Sequence, residues 1–190
     1  GTVPSTGRGP IYPTAPLGVQ WFQNINDNME ILAQVGAGYY DPSGGIQNRR
    51  GLTWFLNNKN GLEGIVQLSL KGGTYSQNPK AFGLPWLVHV GWQFHTGRVY
   101  SNYLDSNGNP FQLSGLTPQE YNFNTGFYVT AESMLYREKG SYNQGLTGFV
   151  KTTQYFQDYV NEIKNTYVVG LGYEGLIPGR NNDVLMAGLG

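Results

Sequence analysis

Apolar and polar residues alternate with a period of two along most of this chain. The stretch WLVHVGWQFH at 86–95 places two tryptophans, two valines and one phenylalanine on one parity. On the other parity stand a leucine, a glycine, a glutamine and the two histidines of the chain. Because successive side chains of a β-strand point to opposite faces, this pattern predicts a strand with one apolar and one mostly polar face.

The same alternation recurs in further segments, which are separated by runs of Asn, Asp and Gly that favour tight turns. No segment shows a convincing helical period of 3.6. We predict nine strands, at 17–22, 28–40, 51–57, 62–71, 86–97, 126–137, 145–154, 162–175 and 183–190. The predicted fold class is therefore all-β, with antiparallel strands that follow one another up and down.

The polar parity of these strands lacks the density of Lys, Glu and Asp expected on a surface that faces bulk water. It carries Gln, Ser, Thr, Tyr, Gly and His with isolated charges, which suits a confined, water-filled interior. The apolar parity carries aromatic residues towards the strand ends, like the aromatic girdles of membrane barrels. Several strands also exceed the ~5–6 residues usual in soluble proteins and meet the ~9–11 that cross a bilayer. The pattern favours a transmembrane β-barrel over a soluble lipocalin-like barrel or sandwich.

The strand count bears on whether the barrel is complete. Nine is an odd number, whereas single-chain bacterial outer-membrane barrels close with an even number of strands. The final DVLMAGLG at 183–190 also stops in the middle of an alternating strand. We therefore expect residues 1–190 to be part of a single outer-membrane β-barrel domain that is incomplete at both ends.

The connections predict how the strands are oriented. Short connections at 24–28 and 57–61 are expected at the periplasmic end of the barrel, because periplasmic turns are short. The connections at 41–50 and 72–84 are then expected at the opposite end.

Strict alternation also places the long connection 99–123 at the periplasmic end, where a long connection is unusual. Its sequence has no clear period. We therefore expect an extra short hairpin or helix inside it, and LTPQEY at 116–121 is the segment most suited to a short helix.

Composition narrows the functions by exclusion. Charged residues make up 13% of the chain and the formal net charge is zero, so no basic surface points to nucleic acid. The chain has no cysteine, which excludes disulfides, zinc–thiolate sites and a thiol nucleophile. It also lacks the ~18 consecutive apolar residues of a transmembrane helix.

Three patterns resemble chemical sites but have structural explanations. GLGYEG at 170–175 matches GxGxxG, yet a following proline and an Asn/Asp cluster exclude the helix that a dinucleotide site requires. His89 and His95 are roughly 20 Å apart along a strand at ~3.3 Å per residue, too far to share a metal. Glu63 and Glu132 carry no sign of the ~5–9 Å spacing of glycosidase carboxylates. We therefore predict no metal, no cofactor and no enzymatic activity.

The two parities supply candidate functional residues. We predict that an aqueous path is lined by Glu30, Gln34, Glu63, Gln67, Lys71, His89, Gln93, His95, Glu132, Lys151 and Lys164. We predict that lipid is contacted by the aromatic residues Trp21, Trp86, Trp92 and Phe94. The arginines at strand ends and in loops are Arg49, Arg50, Arg98, Arg137 and Arg180. Two interpretations of them stay open: solvated rim charges, or constriction donors whose fork of five N–H groups matches sugar hydroxyls or anions.

Three segments resemble one known family. GLIPGRNNDVL at 175–185 is similar to its GLIPGR…DVL block, GWQFHTGR at 91–98 to its GGWYHTGRF-like strand, and GFYVTAESMLYRE at 126–138 to a third strand. A fainter match lies at 15–19. The matches occur in the order of the family and cover most of the chain, so the chain resembles the bacterial carbohydrate-selective porins of the OprB type.

This resemblance implies a barrel of about sixteen strands, of which the chain would be an interior-to-late portion. It implies an outer-membrane porin through which small mono- or oligosaccharides diffuse passively, with the lipid bilayer and lipopolysaccharide as its surroundings. A homo-oligomer stays open. One position departs from the pattern, because Glu132 and Ser133 stand where the family often has Asp-Gln.

Two alternatives from other classes stay open at this point. One is a soluble or surface β-protein that binds glycans. The other is a structural protein of the outer membrane or cell surface with little transport.

Overall fold

The computed structural model describes residues 17–25, 32–40, 61–73 and 83–190. In this part of the chain the elements are β1 Gly18–Asn24, β2 Leu32–Tyr40, β3 Glu63–Gly72, β4 Trp86–His95, β5 Val99–Asp105, α1 Phe111–Ser114, β6 Pro118–Tyr121, β7 Asn124–Arg137, β8 Gly145–Tyr155, β9 Asn165–Glu174 and β10 Val184–Leu189. An eight-stranded sheet has the order β1-β2-β3-β4-β7-β8-β9-β10, and β5 pairs with β6 in a separate sheet.

Every strand of the large sheet pairs antiparallel with the strands beside it. Strands that are adjacent in the sheet are also consecutive in the chain, except that β5, α1 and β6 are inserted between β4 and β7. The predicted all-β, up-and-down architecture is therefore confirmed. The segment predicted at 28–40 is described as a strand from Leu32, and the one predicted at 162–175 begins at Asn165. The strand predicted at 51–57 lies outside the described residues.

The predicted arrangement of the connections is wrong. Since β2 pairs directly with β3, the connection 41–62 joins them at the end of the sheet opposite to the β1–β2 turn. The chain thus leaves β1 at Asn24 and β3 at Gly72 from the same end of the sheet, whereas the prediction put the connections 24–28 and 72–84 at opposite ends. The segments 41–50 and 57–60 lie outside the described residues. The prediction failed because it counted 51–57 as a strand of the sheet between β2 and β3.

The two ends of the sheet differ in what they carry. We call one the insert end, because it receives the connections 41–62, 96–123 and 156–164. The other is the turn end, where the strands are joined by 25–31, 73–85, 138–144 and 175–183. The two longest connections share the insert end.

The insert between β4 and β7 contains both a strand pair and a helix, so the extra element expected within 99–123 is confirmed. The helix expected over LTPQEY is wrong, because residues 118–121 form strand β6 and the helix lies earlier, at 111–114. Gly115, with a φ of 67°, ends that helix in the left-handed conformation that favours glycine. Pro118 is the first residue of β6, a position in a strand where proline is tolerated.

A carboxylate organises the turn inside the insert. Asp105 is buried, and its Oδ1 accepts hydrogen bonds from the backbone N–H groups of Asn107 (2.9 Å) and Asn109 (2.8 Å). A hydrogen bond from the Ser114 side chain, together with those N–H groups, lowers the pKa of Asp105 below its ordinary value.

The insert is held by the connection that follows β8. The backbone N–H of Asn102 donates to the carbonyl of Tyr159 (2.5 Å), and its side-chain amide donates to the carbonyl of Val160 (2.9 Å). The rings of Tyr103 and Tyr159 lie 5.1 Å apart. Tyr159 has a φ of 58°, a conformation that is rare for a bulky residue and is retained here by these contacts.

Aromatic rings lie on glycines of neighbouring strands across the large sheet. A Cβ built on Gly36 would come within 2.5 Å of the Phe22 ring, and one on Gly170 within 2.5 Å of Phe149. The remaining pairs are Gly64 with Phe94, Gly72 with Trp86, Gly91 with Tyr128, and Gly126 with Tyr155. Such pairing covers the glycine backbone and fixes the ring against the sheet.

No helix in the described ranges is long and apolar enough to cross a membrane.

Substituting Gly91 with alanine tests the glycine–aromatic contact. The new Cβ would overlap the Tyr128 ring, which must swing away and lose the hydrogen bond from its hydroxyl to Gln67 Oε1 (2.6 Å). We expect a loss of about 2 kcal/mol in the free energy of unfolding, measured by urea titration. Gly172→Ala is the matched control, since its Cβ would meet Met186 at an ordinary 3.4 Å. Equal losses in the two variants would contradict the assigned contact.

The insert is expected to loosen in acid because the folded-state pKa of Asp105 is lowered. The ionised carboxylate stabilises the turn above the ordinary aspartate pKa of about 3.9, and this contribution disappears as the pH falls through the lower folded-state pKa. Hydrogen exchange at the amides of Asn107 and Asn109, corrected for its intrinsic pH dependence, measures the effect. Asp105→Asn should show at pH 7 the faster exchange that the unsubstituted protein shows only in acid. Identical protection of these amides in both proteins at pH 7 would refute this role.

Candidate functional site

One face of the large sheet lines a cavity of about 810 Å³, to which all eight strands contribute. Its polar lining side chains include Gln20, Gln34, Gln67, His89, Glu132 and Lys151. Five of these are residues that the alternation predicted to face water. The structure therefore brings them together on a single concave surface, although they come from five different strands.

The pairing register aligns six polar residues in one row across the inner face of the sheet, and four of them, Gln34, His89, Thr130 and Lys151, line the cavity. From β1 to β8 the row consists of Asn24, Gln34, Ser69, His89, Thr130 and Lys151. We call this row the polar belt. Within it, Gln34 Nε2 donates to Asn24 Oδ1 (3.0 Å), and His89 Nδ1 lies 2.8 Å from Ser69 Oγ. Every position of the belt thus carries a hydrogen-bonding side chain.

Gln67, which lies two residues from Ser69 on the same face of β3, forms hydrogen bonds with the middle of the polar belt. Its Nε2 donates to Ser69 Oγ (2.9 Å) and lies 3.2 Å from His89 Nδ1, while its Oε1 accepts from the Tyr128 hydroxyl (2.6 Å). His89 Nδ1 accepts within this network when the ring proton is on Nε2, and donates to Ser69 Oγ when the proton is on Nδ1. The wall is therefore a connected polar network.

Charges of both signs lie at the β7–β8 side of the cavity. Glu132 is the register partner of Phe149, and Thr130 is the partner of Lys151. Glu132 and Lys151 are consequently diagonal neighbours, a relation that spans ~7–8 Å between Cα atoms. Glu174, which accepts a hydrogen bond from Asn143, adds a second carboxylate towards the turn end.

Several other predicted path residues lie elsewhere on the same face. Glu63 and His95 are register partners at the insert end, and both are buried, as is Gln93, which donates to the Tyr155 hydroxyl (2.5 Å). Lys71 lies towards the turn end, opposite Leu87.

The remaining two predicted path residues are not placed in the cavity wall. Lys164 precedes β9 in the β8–β9 connection and forms an ion pair with Asp158. Glu30 lies outside the described residues.

The arginines that the structure describes make local contacts at the ends of the sheet. Arg98 pairs with Glu120 of β6 (Nε–Oε1 3.2 Å). The Arg137 guanidinium lies 5.6 Å from the Tyr142 ring centroid. Arg180 pairs with Asp183 in the β9–β10 connection. Arg49 and Arg50 lie outside the described residues.

The convex face of the sheet exposes apolar side chains. Trp21 is 56% exposed and Trp92 is 45% exposed, whereas Trp86 and Phe94 are half-buried over their glycines. Valine and leucine side chains of the same face are also exposed, namely Val66, Leu68, Val90, Val150, Val169 and Leu171. An apolar face of this extent is unusual for a soluble protein and typical of a lipid or protein contact.

Two aromatic residues of the cavity wall were missed by the sequence reasoning. Phe22 and Phe149 line the cavity, each on a glycine of the next strand. Their position in the alternating pattern could have identified them as inward-facing, since Phe149 shares the parity of Lys151 and Phe22 shares that of Gln20. The prediction overlooked them because it assigned aromatic residues to the apolar face.

The GLGYEG pattern has a structural place in this wall. Gly170 lies under the Phe149 ring, and Gly172 lines the cavity. In the described ranges no group of three or more His, Asp or Glu residues is arranged to hold a metal ion.

A curved antiparallel meander with an apolar convex face and a polar concave face is the wall of a porin-type β-barrel. The family model described as "Carbohydrate-selective porin, OprB family" matches residues 4–190. The chain belongs to this family, and the resemblance recognised in its sequence is confirmed. The family consists of bacterial outer-membrane proteins, and its fold implies a transport channel rather than an enzyme.

A solved structure of Pseudomonas putida OprB at high pH is similar to this chain, with a TM-score of 0.73 and 26% sequence identity. The similarity covers 93% of this chain and 40% of that chain. The sheet therefore corresponds to a partial barrel, and the chain spans well under half the length of this neighbour. No curated protein matches the chain.

Proposed function

We propose that this chain forms part of the wall of a channel through which small sugars diffuse passively across the bacterial outer membrane. The observation that carries the proposal is the polar belt, a hydrogen-bonding row that crosses six strands of the concave face. In this proposal all 190 residues belong to a single barrel domain.

The chemistry of the polar belt suits an uncharged polyhydroxylated solute. Sugar hydroxyls both donate and accept hydrogen bonds, as do the amides, hydroxyls and imidazole of the belt. Such a wall replaces part of the hydration shell of the solute without holding it tightly. Transport needs this balance, because binding must permit both entry and exit.

The assignment of the two faces follows from the same arrangement. Gln34, Gln67, His89, Glu132 and Lys151 line the sugar path in this proposal, and their place in the cavity supports it. The aromatic residues predicted to contact lipid, Trp21, Trp86, Trp92 and Phe94, face the bilayer and the lipopolysaccharide around the barrel. Their place on the exposed apolar face supports this half of the proposal and weighs against a soluble glycan-binding protein.

The insert end faces the outside of the cell in our proposal. It receives the two longest connections, 41–62 and 96–123, and outer-membrane barrels have long extracellular loops and short periplasmic turns. This orientation reverses the periplasmic placement predicted for 99–123 from the strand count.

A cysteine introduced at Asn107 tests the orientation, since the chain has no other cysteine and Asn107 is exposed in the insert. We expect a membrane-impermeant maleimide to label Asn107→Cys on intact cells. A cysteine at Asn143, which is exposed at the turn end, should be labelled only after the outer membrane is opened. Labelling of the second site alone on intact cells would contradict the orientation.

Substituting Glu132 with glutamine tests the sugar path. Loss of the carboxylate removes the negative charge diagonal to Lys151, so we expect ion permeability to shift towards anions. Sugar flux should fall about threefold, because a charge-assisted hydrogen bond to hydroxyls is lost. Reversal potentials in planar bilayers and glucose uptake by proteoliposomes measure the two effects in the full-length folded protein.

Lys151→Gln is the matched variant and should shift ion selectivity in the opposite direction. Ser133→Ala, next to Glu132 but on the convex face, should leave flux and selectivity unchanged. If Glu132→Gln changed neither quantity, Glu132 would have no role in the path. If the unsubstituted protein passed ions but no sugar, a structural or general-diffusion role would replace the proposed function.

A further inference from the structure

The Phe149 ring lies across the backbone of two successive strands. A Cβ built on Gly170 of β9 would come within 2.5 Å of the ring, and one on Gly188 of β10 would lie 3.8 Å from Cζ. The ring thus rests on a path of glycines and lines the cavity. Since its side chain is only half-buried, one aromatic surface stays accessible to a solute in the cavity.

Charged and hydroxyl groups lie directly beside this ring. Glu132 stands opposite Phe149 across the β7–β8 pair. Lys151 is two residues further along β8, on the same face, with Thr130 as its register partner. A flat apolar surface is therefore bordered by a carboxylate, an ammonium group and a hydroxyl.

This combination matches the two chemical faces of a pyranose. The C–H groups of the sugar ring pack against an aromatic surface, while its hydroxyls donate to a carboxylate and accept from an ammonium group. We propose that Phe149, Glu132 and Lys151 form a weak pyranose subsite in the channel wall. The inference rests on the proposed function and identifies where in the path the sugar binds transiently.

Among the inner-face aromatic side chains that the structure describes, the others lack one half of this arrangement. Tyr128 and Tyr155 are each only 3% exposed, so little of either ring is available to a solute. Phe22 is 50% exposed and also lies on a glycine, Gly36. The two inward-facing residues next to Phe22 along β1, Gln20 and Asn24, both carry uncharged amide side chains. Phe22 is therefore a matched control for Phe149.

Titration of the channel with sugar tests the subsite. Glucose or maltose is added to single channels of the full-length protein in planar bilayers, and the reduction in ion current gives the half-saturating sugar concentration. We expect Phe149→Leu, which keeps apolar volume but removes the flat ring, to raise this concentration about fivefold. Phe149→Tyr should restore it, and Phe22→Leu should change it by less than about twofold.

The outcomes separate the subsite from the proposed function. If the unsubstituted channel showed no sugar flux and no sugar-dependent current, the proposed function would fail. If it transported sugar but Phe149→Leu saturated like the unsubstituted channel, or Phe22→Leu had the same effect, only the subsite would fail. Should Phe149→Leu not yield folded channels, Phe149→Met provides the same comparison, with the heat-modifiable gel mobility of the barrel as the folding check.

Discussion

An aromatic ring resting on a glycine of the neighbouring strand is the contact on which the barrel wall depends. On the inner face these pairs are Phe22 with Gly36, Tyr128 with Gly91, Tyr155 with Gly126 and Phe149 with Gly170. A side chain larger than hydrogen at the glycine would push the ring into the cavity. The glycine instead lets a large ring lie against the backbone, so the inner face is rich in rings while a cavity of about 810 Å³ stays open.

The register that seats these rings also aligns the polar belt. Tyr128 lies opposite Gly91, and two residues further along the same pair of strands Thr130 lies opposite His89. A slip of one residue would turn the belt towards lipid and the valines of the convex face towards water. The contacts between rings and glycines and the alignment of the polar belt therefore both follow from the same strand register.

Much of this fold could be predicted from alternation, but much of the site could not. The strand around 86–97 and both of its faces follow from parity alone, because each residue faces away from its neighbours. The alignment of His89 with Ser69 and Thr130 depends on the register between strands, which cannot be read from the sequence of any one strand. The wrong prediction of which connections share an end of the sheet has the same origin, since parity identifies alternation without showing which segments pair. Phe149 was missed because hydrophobicity alone does not distinguish a lumen ring from a lipid-facing one.

The attachment of the insert has a consequence for how related sequences diverge. The insert leaves β4 and returns at β7, which are neighbours in the sheet, and its contacts with Tyr159 and Val160 are made by residues near its start. Closing a longer loop between fixed ends costs only about 0.6 kcal/mol for each doubling of its length. The part between the Asp105 turn and β6, which lies outside the β5–β6 pair, can therefore gain or lose residues over evolution while β4 and β7 keep their pairing. Changes of length in this part of the insert therefore leave the polar belt and its strand register intact.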